Sequence, residues 1–297
     1  MTIGNFARGT FAALLAVTLA PACARAAAGC SAVDAPRDAA HPSHNQQLLI
    51  PSSGVGLNAV LFQAAGAGSH PTVILMHGLP GNERNLDLAQ AIRRCGWDVL
   101  TFTYRGAWGS PGDFSIANSM DDTAAALAFA RSPDAARLGI DTRHIVLAGH
   151  SMGGATAAMT AAETTGLDGL VLIDPWNIGG GGTSKGAVTR DALAKGFDDF
   201  GNSLHGASPG SIADEAVANK SKWDLVQAAL HYRALPVLMV TARYGIGDRD
   251  RPITEAMESV GARTTAVQID SDHSFTDHRM TLAATVTGWL QRLPVSR

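Results

Sequence analysis

The pentapeptide around Ser151 carries the strongest chemical signal in the chain. Residues 149–153 (GHSMG) have the form G-x-S-x-G, follow the apolar run 144–148 and open an alanine-rich segment. Between a strand and a helix, the two glycines permit a tight turn that exposes the serine hydroxyl. Such a hydroxyl becomes a nucleophile when a base accepts its proton. We therefore predict that Ser151 is a nucleophile and not merely a helix N-cap.

His273 is the candidate base for this serine. It lies in the segment 270–275 (DSDHSF), directly after the last strand-like run. A base must reach the hydroxyl from a loop at the C-terminal edge of the sheet. His278 ranks second, because it falls at the start of the closing predicted helix. His150 is adjacent to the nucleophile, but we expect its side chain to point away.

Three aspartates are candidates for the acid that orients the base. We favour Asp248, in the loop 243–252 (RYGIGDRDRP) after the strand-like run 237–241, because Pro252 would open the next helix. Asp250 in the same loop is a competitor, and flanking arginines could pair with either carboxylate. Asp174 ends the preceding strand, from which a carboxylate can also reach the base.

The segment 77–81 (HGLPG) follows another apolar run and is the candidate oxyanion loop. A loop in this place can direct a backbone N–H at the developing oxyanion, and the residue after the nucleophile supplies the second N–H. We assign these donors to the backbones of Leu79 and Met152.

Short apolar runs alternate with helical patterns, which predicts an α/β fold with a mostly parallel central sheet flanked by helices. Strands are predicted at 46–50, 56–63, 72–76, 98–104, 144–148, 170–173, 237–241 and 264–269. Helices are predicted at 86–95, 120–130, 151–163 and 278–290, the second opened by Asp121 and Asp122. The stretch 177–235 shows helical segments and no evident strand. It predicts a helical cap insertion, either a lid over the site or a plain decoration.

The N-terminal region indicates export. Arg8, a short apolar run and A-x-A sites predict a signal peptide over residues 1–28, and hence a secreted or periplasmic protein. An exposed lead-in over 29–45 then precedes the domain at 46–295. Export would permit a disulfide between Cys30 and Cys95, although the sequence does not show that they meet.

Composition indicates a globular chain without a nucleic-acid partner. Of 297 residues, 46% are hydrophobic and 16% are charged, and the net charge is only −3. No cluster has metal-ligand spacing and no glycine-rich dinucleotide loop follows a strand, so we expect neither a metal nor another cofactor. After signal cleavage we expect no membrane partner, and the oligomeric state is left open.

Together, the segments HGLPGNERNLDLAQAIRRCGW, TYRGAWGSPGDFS, GHSMGG and DHSFTDHR resemble the α/β-hydrolase superfamily over about residues 46–293. More narrowly, they resemble bacterial hydrolases near the dienelactone-hydrolase and prolyl-oligopeptidase (S9-like) branch. The resemblance implies an α/β-hydrolase fold and hydrolysis through an acyl-enzyme with a triad in the order Ser, Asp, His. The acid loop RYGIGDRDRP departs from the compact acidic turn usual in that branch.

Several functions are compatible with this pattern. The leading hypothesis is a carboxylesterase-like serine hydrolase acting on a small-molecule ester. An amide substrate, and hence an S9-like peptidase or amidase, is the alternative, and a thioesterase or acyltransferase would use the same residues. A non-catalytic binding protein on the same scaffold is the alternative from another class.

Overall fold

An eight-stranded sheet forms the centre of the molecule in the computed structural model, which describes residues 1, 29–35, 37–180, 182–183, 186–187, 189–200, 203–246 and 250–295. The predicted signal peptide lies almost wholly outside these residues. The sheet strands are β1 (His44–Ser52), β2 (Val55–Gln63), β3 (His70–Met76), β4 (Asp98–Phe102), β5 (Ile140–His150), β6 (Gly169–Ile173), β9 (Pro236–Tyr244) and β10 (Arg263–Asp272). Their order across the sheet is β1-β2-β4-β3-β5-β6-β9-β10. The pairings of β2 with β1 and with β4 are antiparallel, and the other pairings are parallel.

Helices cover both faces of this sheet. The α-helices are α1 (Leu86–Arg94), α2 (Ile116–Ala130), α3 (Pro133–Arg137), α4 (Met152–Ala162), α5 (Arg190–Lys195), α6 (Pro209–Ala218), α7 (Leu225–Ala229), α8 (Arg251–Ser259) and α9 (Arg279–Leu290). Helices α1 and α9 pack on one face, and α2, α4, α7 and α8 pack on the other. The predicted fold class is therefore confirmed.

Burial on both faces explains why the central strands are apolar without interruption. In β3, Val73 and Leu75 join the core under α1 and α9, whereas Ile74 and Met76 join the core under α2 and α4. Successive side chains of a strand point to opposite faces, so a strand covered on both sides needs apolar residues at every position.

Helix α2 begins four residues earlier than the sequence predicted. Ser115 is its N-cap and accepts a hydrogen bond from the backbone N–H of Asn118. The carboxylate of Glu215, in α6, accepts hydrogen bonds from the backbone N–H groups of Ile116 and Ala117, the first two residues of the helix. Asp122 does not open the helix, because it is buried and bonds the Arg105 guanidinium at 2.6 Å.

The cap insertion packs against the loop after β4. The backbone N–H of His205 donates to the Gly106 carbonyl at 2.7 Å, and the Phe114 N–H donates to the His205 carbonyl at 2.9 Å. The expectation that this stretch contains no strand is wrong: β7 (Gly182–Thr183) and β8 (Gly186–Ala187) form a small antiparallel pair. Its predicted role as a lid stays a prediction.

Among the described residues, no helix is both long enough and apolar enough to span a membrane. The domain instead carries a covalent link near its N-terminus. Cys30 and Cys95 form a disulfide that joins the lead-in to the C-terminal end of α1.

Removing this disulfide is expected to lower thermal stability strongly. The bridge spans 65 residues. Closing a loop of that size lowers the conformational entropy of the unfolded chain, which stabilises the folded state by about 4 kcal/mol. The variant with both Cys30→Ser and Cys95→Ser should therefore melt roughly 10 °C below the wild type. Thermal unfolding with and without dithiothreitol measures this shift. Dithiothreitol should lower the melting temperature of the wild type and leave that of the double variant unchanged. A wild-type melting temperature that does not respond to the reductant would contradict the disulfide.

Candidate active site

The turn at Ser151 has the strained backbone that G-x-S-x-G predicts. Ser151 adopts φ 56° and ψ −121°, directly between β5 and α4. A Cβ on Gly149 would collide with the Gly153 carbonyl, and one on Gly153 would collide with the Met76 carbonyl. The glycines are therefore required because backbone passes close to backbone on both sides of the nucleophile.

Backbone hydrogen bonds join this turn to the end of β6. The Ser151 N–H donates to the Ile173 carbonyl at 3.0 Å, and the Trp176 N–H donates to the Ser151 carbonyl at 2.9 Å. These bonds hold Ser151 next to the chain that carries Asp174. The nucleophile and one candidate acid thus share the C-terminal edge of the sheet.

His273 meets Asp174 at this edge. The imidazole Nδ1 of His273 lies 2.5 Å from Oδ2 of Asp174. Asp174 is fully buried, while the His273 side chain is 35% exposed. Because a carboxylate only accepts, Nδ1 carries the hydrogen, and Nε2 is left to accept a proton from the serine.

Hydrogen-bond donors surround the buried Asp174 carboxylate. Its Oδ1 accepts from the Ala242 N–H at 3.0 Å, and its Oδ2 accepts from the Ile246 N–H at 3.0 Å. A Cβ on Gly245 would collide with Oδ2, so glycine is needed for the loop after β9 to approach. Two backbone donors and the imidazole thus satisfy a carboxylate that would be costly to bury alone.

This geometry corrects our preference for Asp248 as the acid. Asp248 lies outside the described residues, and the Nδ1 hydrogen that it would accept is already bonded to Asp174. Asp250 is buried at the N-terminus of α8, with the Asp250 carbonyl accepting from Thr254. The loop after β9 instead contributes the Ile246 N–H to the Asp174 carboxylate.

The oxyanion loop lies against the nucleophile. A Cβ on Gly78 would be 2.9 Å from the Ser151 Cβ, so the chain before Leu79 touches the serine. Met152 is the first residue of α4, where backbone N–H groups have no partner within the helix. Within the described part of the chain, the Leu79 N–H donates to no backbone carbonyl. Both amides that we predicted as oxyanion donors are therefore compatible with that role.

A comparison of the sequence with family profiles agrees with this arrangement. The profile described as the alpha/beta hydrolase family matches residues 73–285, which include all the strands from β4 onward. The chain belongs to the alpha/beta hydrolase family. Among proteins with curated functions, none matches this alpha/beta hydrolase in sequence.

Solved structures similar to this alpha/beta hydrolase include several esterases. EstE1, a thermostable carboxylesterase from a metagenomic library, is 22% identical with a TM-score of 0.65, over 86% of this chain and 91% of its own. An esterase of the archaeon Pyrobaculum calidifontis is 20% identical with a TM-score of 0.62, over 84% and 86%. Est1E from Butyrivibrio proteoclasticus is 18% identical with a TM-score of 0.61, over 83% and 98%. At these identities the likeness establishes the shared fold, and the narrower S9-like resemblance stays a prediction.

Two buried histidines flank the turn of this alpha/beta hydrolase. Nδ1 of His77 donates to the Gly78 carbonyl at 2.7 Å, and Nε2 of His150 donates to the His273 carbonyl at 2.8 Å. Burial lowers the pKa of His77 to about 4. Burial, followed by the nearby His273, also lowers the pKa of His150 to about 4. Both rings are therefore neutral at neutral pH.

The lowered pKa values of these two histidines predict that the folded protein loses stability in acid. In the unfolded chain their pKa is near 6.5, and in the folded protein it is about 4. As the pH falls through this window only the unfolded state takes up protons, so folding stability declines by about 3 kcal/mol per histidine and then levels off. Urea unfolding between pH 7 and pH 4 measures the decline.

Variants separate this effect from the general titration of carboxylates. His77→Leu and His150→Leu should each make the decline shallower, whereas His41→Gln, at an exposed histidine, should leave it unchanged. An unaltered pH dependence in both leucine variants would contradict the assignment.

A groove of about 500 Å³ adjoins the oxyanion loop of this alpha/beta hydrolase. Its lining includes His77, the exposed Leu49 and Leu86, and Trp108, whose indole N–H donates to the Pro80 carbonyl at 2.8 Å. The Arg84 guanidinium lies 5.8 Å from the Trp108 ring centroid. The lining combines these apolar side chains with polar ones, and it can accommodate an organic group.

Sequence reasoning missed two side chains that hold the base loop. His150 bonds the His273 carbonyl, and an Arg279 Nη atom donates to the Ser274 carbonyl at 2.9 Å. Both lie in segments that the sequence analysis singled out, but neither role has a sequence signal, because each side chain acts through a backbone carbonyl whose position only the fold determines. No group of three or more His, Cys, Asp or Glu side chains suited to a metal ion occurs among the residues with described positions.

Proposed function

We propose that this alpha/beta hydrolase is a serine hydrolase that cleaves carboxylic esters through an acyl-enzyme. The observation that carries the proposal is the 2.5 Å contact between His273 Nδ1 and Asp174 Oδ2, at the sheet edge where the turn exposes Ser151. A buried carboxylate, an imidazole and a partly exposed serine are the parts that acyl transfer requires.

In the proposed reaction, Ser151 Oγ attacks the ester carbonyl carbon while His273 Nε2 accepts the hydroxyl proton. The Asp174 carboxylate stabilises the imidazolium at Nδ1, and the N–H groups of Leu79 and Met152 donate to the oxyanion. The C–O bond then breaks, and the imidazolium gives its proton to the leaving alcohol. Water then attacks the acyl carbon while the same imidazole accepts its proton, and the bond from the acyl carbon to Ser151 Oγ breaks as the imidazolium returns that proton to Oγ, which releases the carboxylic acid.

Ester substrates are favoured over amides by two considerations. The similar structures above carry names of esterases and carboxylesterases, and the groove beside the predicted oxyanion loop includes exposed apolar side chains, Leu49 and Leu86, that can contact an uncharged organic substituent. The proposed substrate class is therefore a small or medium ester. A peptidase or amidase, a thioesterase and an acyltransferase would use the same residues and are distinguished by experiment.

A substrate panel tests this proposal. The mature protein is assayed with p-nitrophenyl esters of increasing acyl length, the matching thioesters and aminoacyl p-nitroanilides. We expect the highest kcat/KM on the oxygen esters. Faster turnover of anilides would replace the esterase by an amidase, and no turnover of any substrate by folded protein would favour a non-catalytic binding protein.

We also propose that the protein is exported. The charged and apolar pattern of the N-terminal segment supports a signal peptide, and the Cys30–Cys95 disulfide suits an oxidising compartment. N-terminal sequencing of protein from the periplasm or medium tests this, with a start near residues 27–29 expected. An intact Met1 on soluble cytoplasmic protein would overturn it.

A further inference from the structure

We propose that His150 is a positioning residue that aligns the base His273 through a hydrogen bond to its backbone carbonyl. This inference rests on the proposed function, because it concerns the alignment of that same site. His150 belongs to the G-x-S-x-G turn, but its side chain has no part in the proposed reaction.

The hydrogen-bond partners of His150 fix its tautomer. Its Nε2 lies 2.8 Å from the His273 carbonyl oxygen. A carbonyl only accepts, so Nε2 must carry the hydrogen, and Nδ1 holds a lone pair. That Nδ1 is buried and has no partner among the described residues. The residue is thus committed to a single hydrogen bond, made to the residue that carries the base.

The location of His150 makes this bond a link between nucleophile and base. His150 is the last residue of β5 and precedes Ser151, and its side chain is buried. Its ring centroid lies 4.6 Å from that of His273, and a Cβ on Gly78 would be 3.4 Å from its Nδ1. The imidazole therefore packs between the base and the oxyanion loop, and holds both relative to the turn.

The base has two anchors of different kinds. Asp174 fixes the imidazole of His273 at Nδ1, and the Phe275 N–H donates to the Asp272 carbonyl at 3.0 Å, which closes the turn around His273. His150 fixes the carbonyl of the same residue, so the two bonds together define where Nε2 points. The next carbonyl, that of Ser274, is held independently by Arg279 at 2.9 Å. Because Arg279 remains, the loop should stay folded when the His150 bond is removed.

A donor-replacement series tests the role of the hydrogen bond. His150→Leu keeps an apolar side chain but removes the donor, and a misplaced base should lower kcat roughly 10- to 100-fold with little change in KM. His150→Gln places an amide N–H near the position of Nε2 and should recover most of that loss. The matched control is His144→Leu. His144 lies in the same strand as His150, but its side chain bonds Asp168, which lies about a hundred residues before the base in the chain.

A second readout does not depend on hydrolysis. The Nδ1–H proton between His273 and Asp174 is expected to give a strongly downfield proton resonance in the folded protein, because the contact is short, and its position should report the alignment of the imidazole. It should shift or broaden in His150→Leu, return in His150→Gln and remain in His144→Leu. This holds whether or not any ester is turned over, so failure of the esterase proposal would not obscure the result.

Two outcomes would overturn the positioning role. Equal losses of kcat in His150→Leu and His150→Gln would indicate that the ring only fills space. Wild-type kcat and an unchanged resonance in His150→Leu would show that the bond does not align the base. If His150→Leu unfolds, His150→Gln alone decides, because a folded glutamine variant without the resonance and with reduced kcat contradicts the proposal.

Discussion

Replacement of Ser151 by alanine is expected to abolish ester hydrolysis, with kcat falling by roughly 10⁶-fold, the size of loss found when a triad nucleophile is removed. The reason is that Ser151 carries the hydroxyl at the strained turn, at φ 56° and ψ −121°, beside the predicted oxyanion loop. Steady-state turnover of the best p-nitrophenyl ester measures the loss.

A matched serine variant controls for general damage. Ser274→Ala alters the residue after the base, where the backbone carbonyl makes the contact with Arg279. It should retain kcat to within about threefold, as substitutions away from the chemistry usually do. Ser151→Ala should also keep the wild-type melting temperature. Substantial hydrolysis by a folded Ser151→Ala protein would contradict the mechanism.

Replacement of Asp174 by asparagine is expected to lower kcat by about 10³- to 10⁴-fold, as found when the acid of a triad is neutralised. Asparagine presents an N–H or a weaker acceptor to His273 Nδ1, so the imidazole is no longer held in the tautomer that leaves Nε2 free. The measurement is kcat on the same ester, together with the melting temperature, because Asp174 also accepts from Ala242 and Ile246.

The two aspartates of the loop after β9 provide the comparison. Asp248→Asn and Asp250→Asn should each change kcat by no more than about threefold. The His273–Asp174 contact predicts this order. A large loss in Asp248→Asn with a small loss in Asp174→Asn would return the acid to the loop that the sequence favoured.

The turn at Ser151 and the fold could be predicted because their signals are local. The G-x-S-x-G turn needs glycines where backbone meets backbone, and those contacts lie within a few residues of Ser151 or at the adjacent β3. The strands could be predicted because a sheet covered on both faces requires unbroken apolar runs. Periodicity and turn chemistry therefore report both features directly.

The acid could not be chosen from the sequence because three strand ends converge at one edge. Asp174 follows β6, whereas Asp248 and Asp250 follow β9, and either strand can supply a carboxylate to a loop after β10. The choice depends on which carboxylate is surrounded by donors. That depends on the bend at Gly245 and the amides of Ala242 and Ile246, which have no sequence signature.

The predicted start of α2 was wrong for a related reason. Acidic residues at a predicted helix N-terminus favour the helix dipole, but Asp122 serves instead as the buried partner of Arg105. The N-terminal amides of α2 are satisfied by Glu215, about a hundred residues later in the chain. A local pattern does not anticipate a partner that the tertiary fold brings from the cap insertion.

The central claim is that Ser151 is a nucleophile activated by His273, and covalent labelling with a fluorophosphonate tests it most directly. The folded mature protein is treated with the probe, digested and analysed by mass spectrometry. The account predicts a single adduct on the peptide that contains Ser151, and none in Ser151→Ala. An unlabelled folded protein, or an adduct on a different serine, would contradict it.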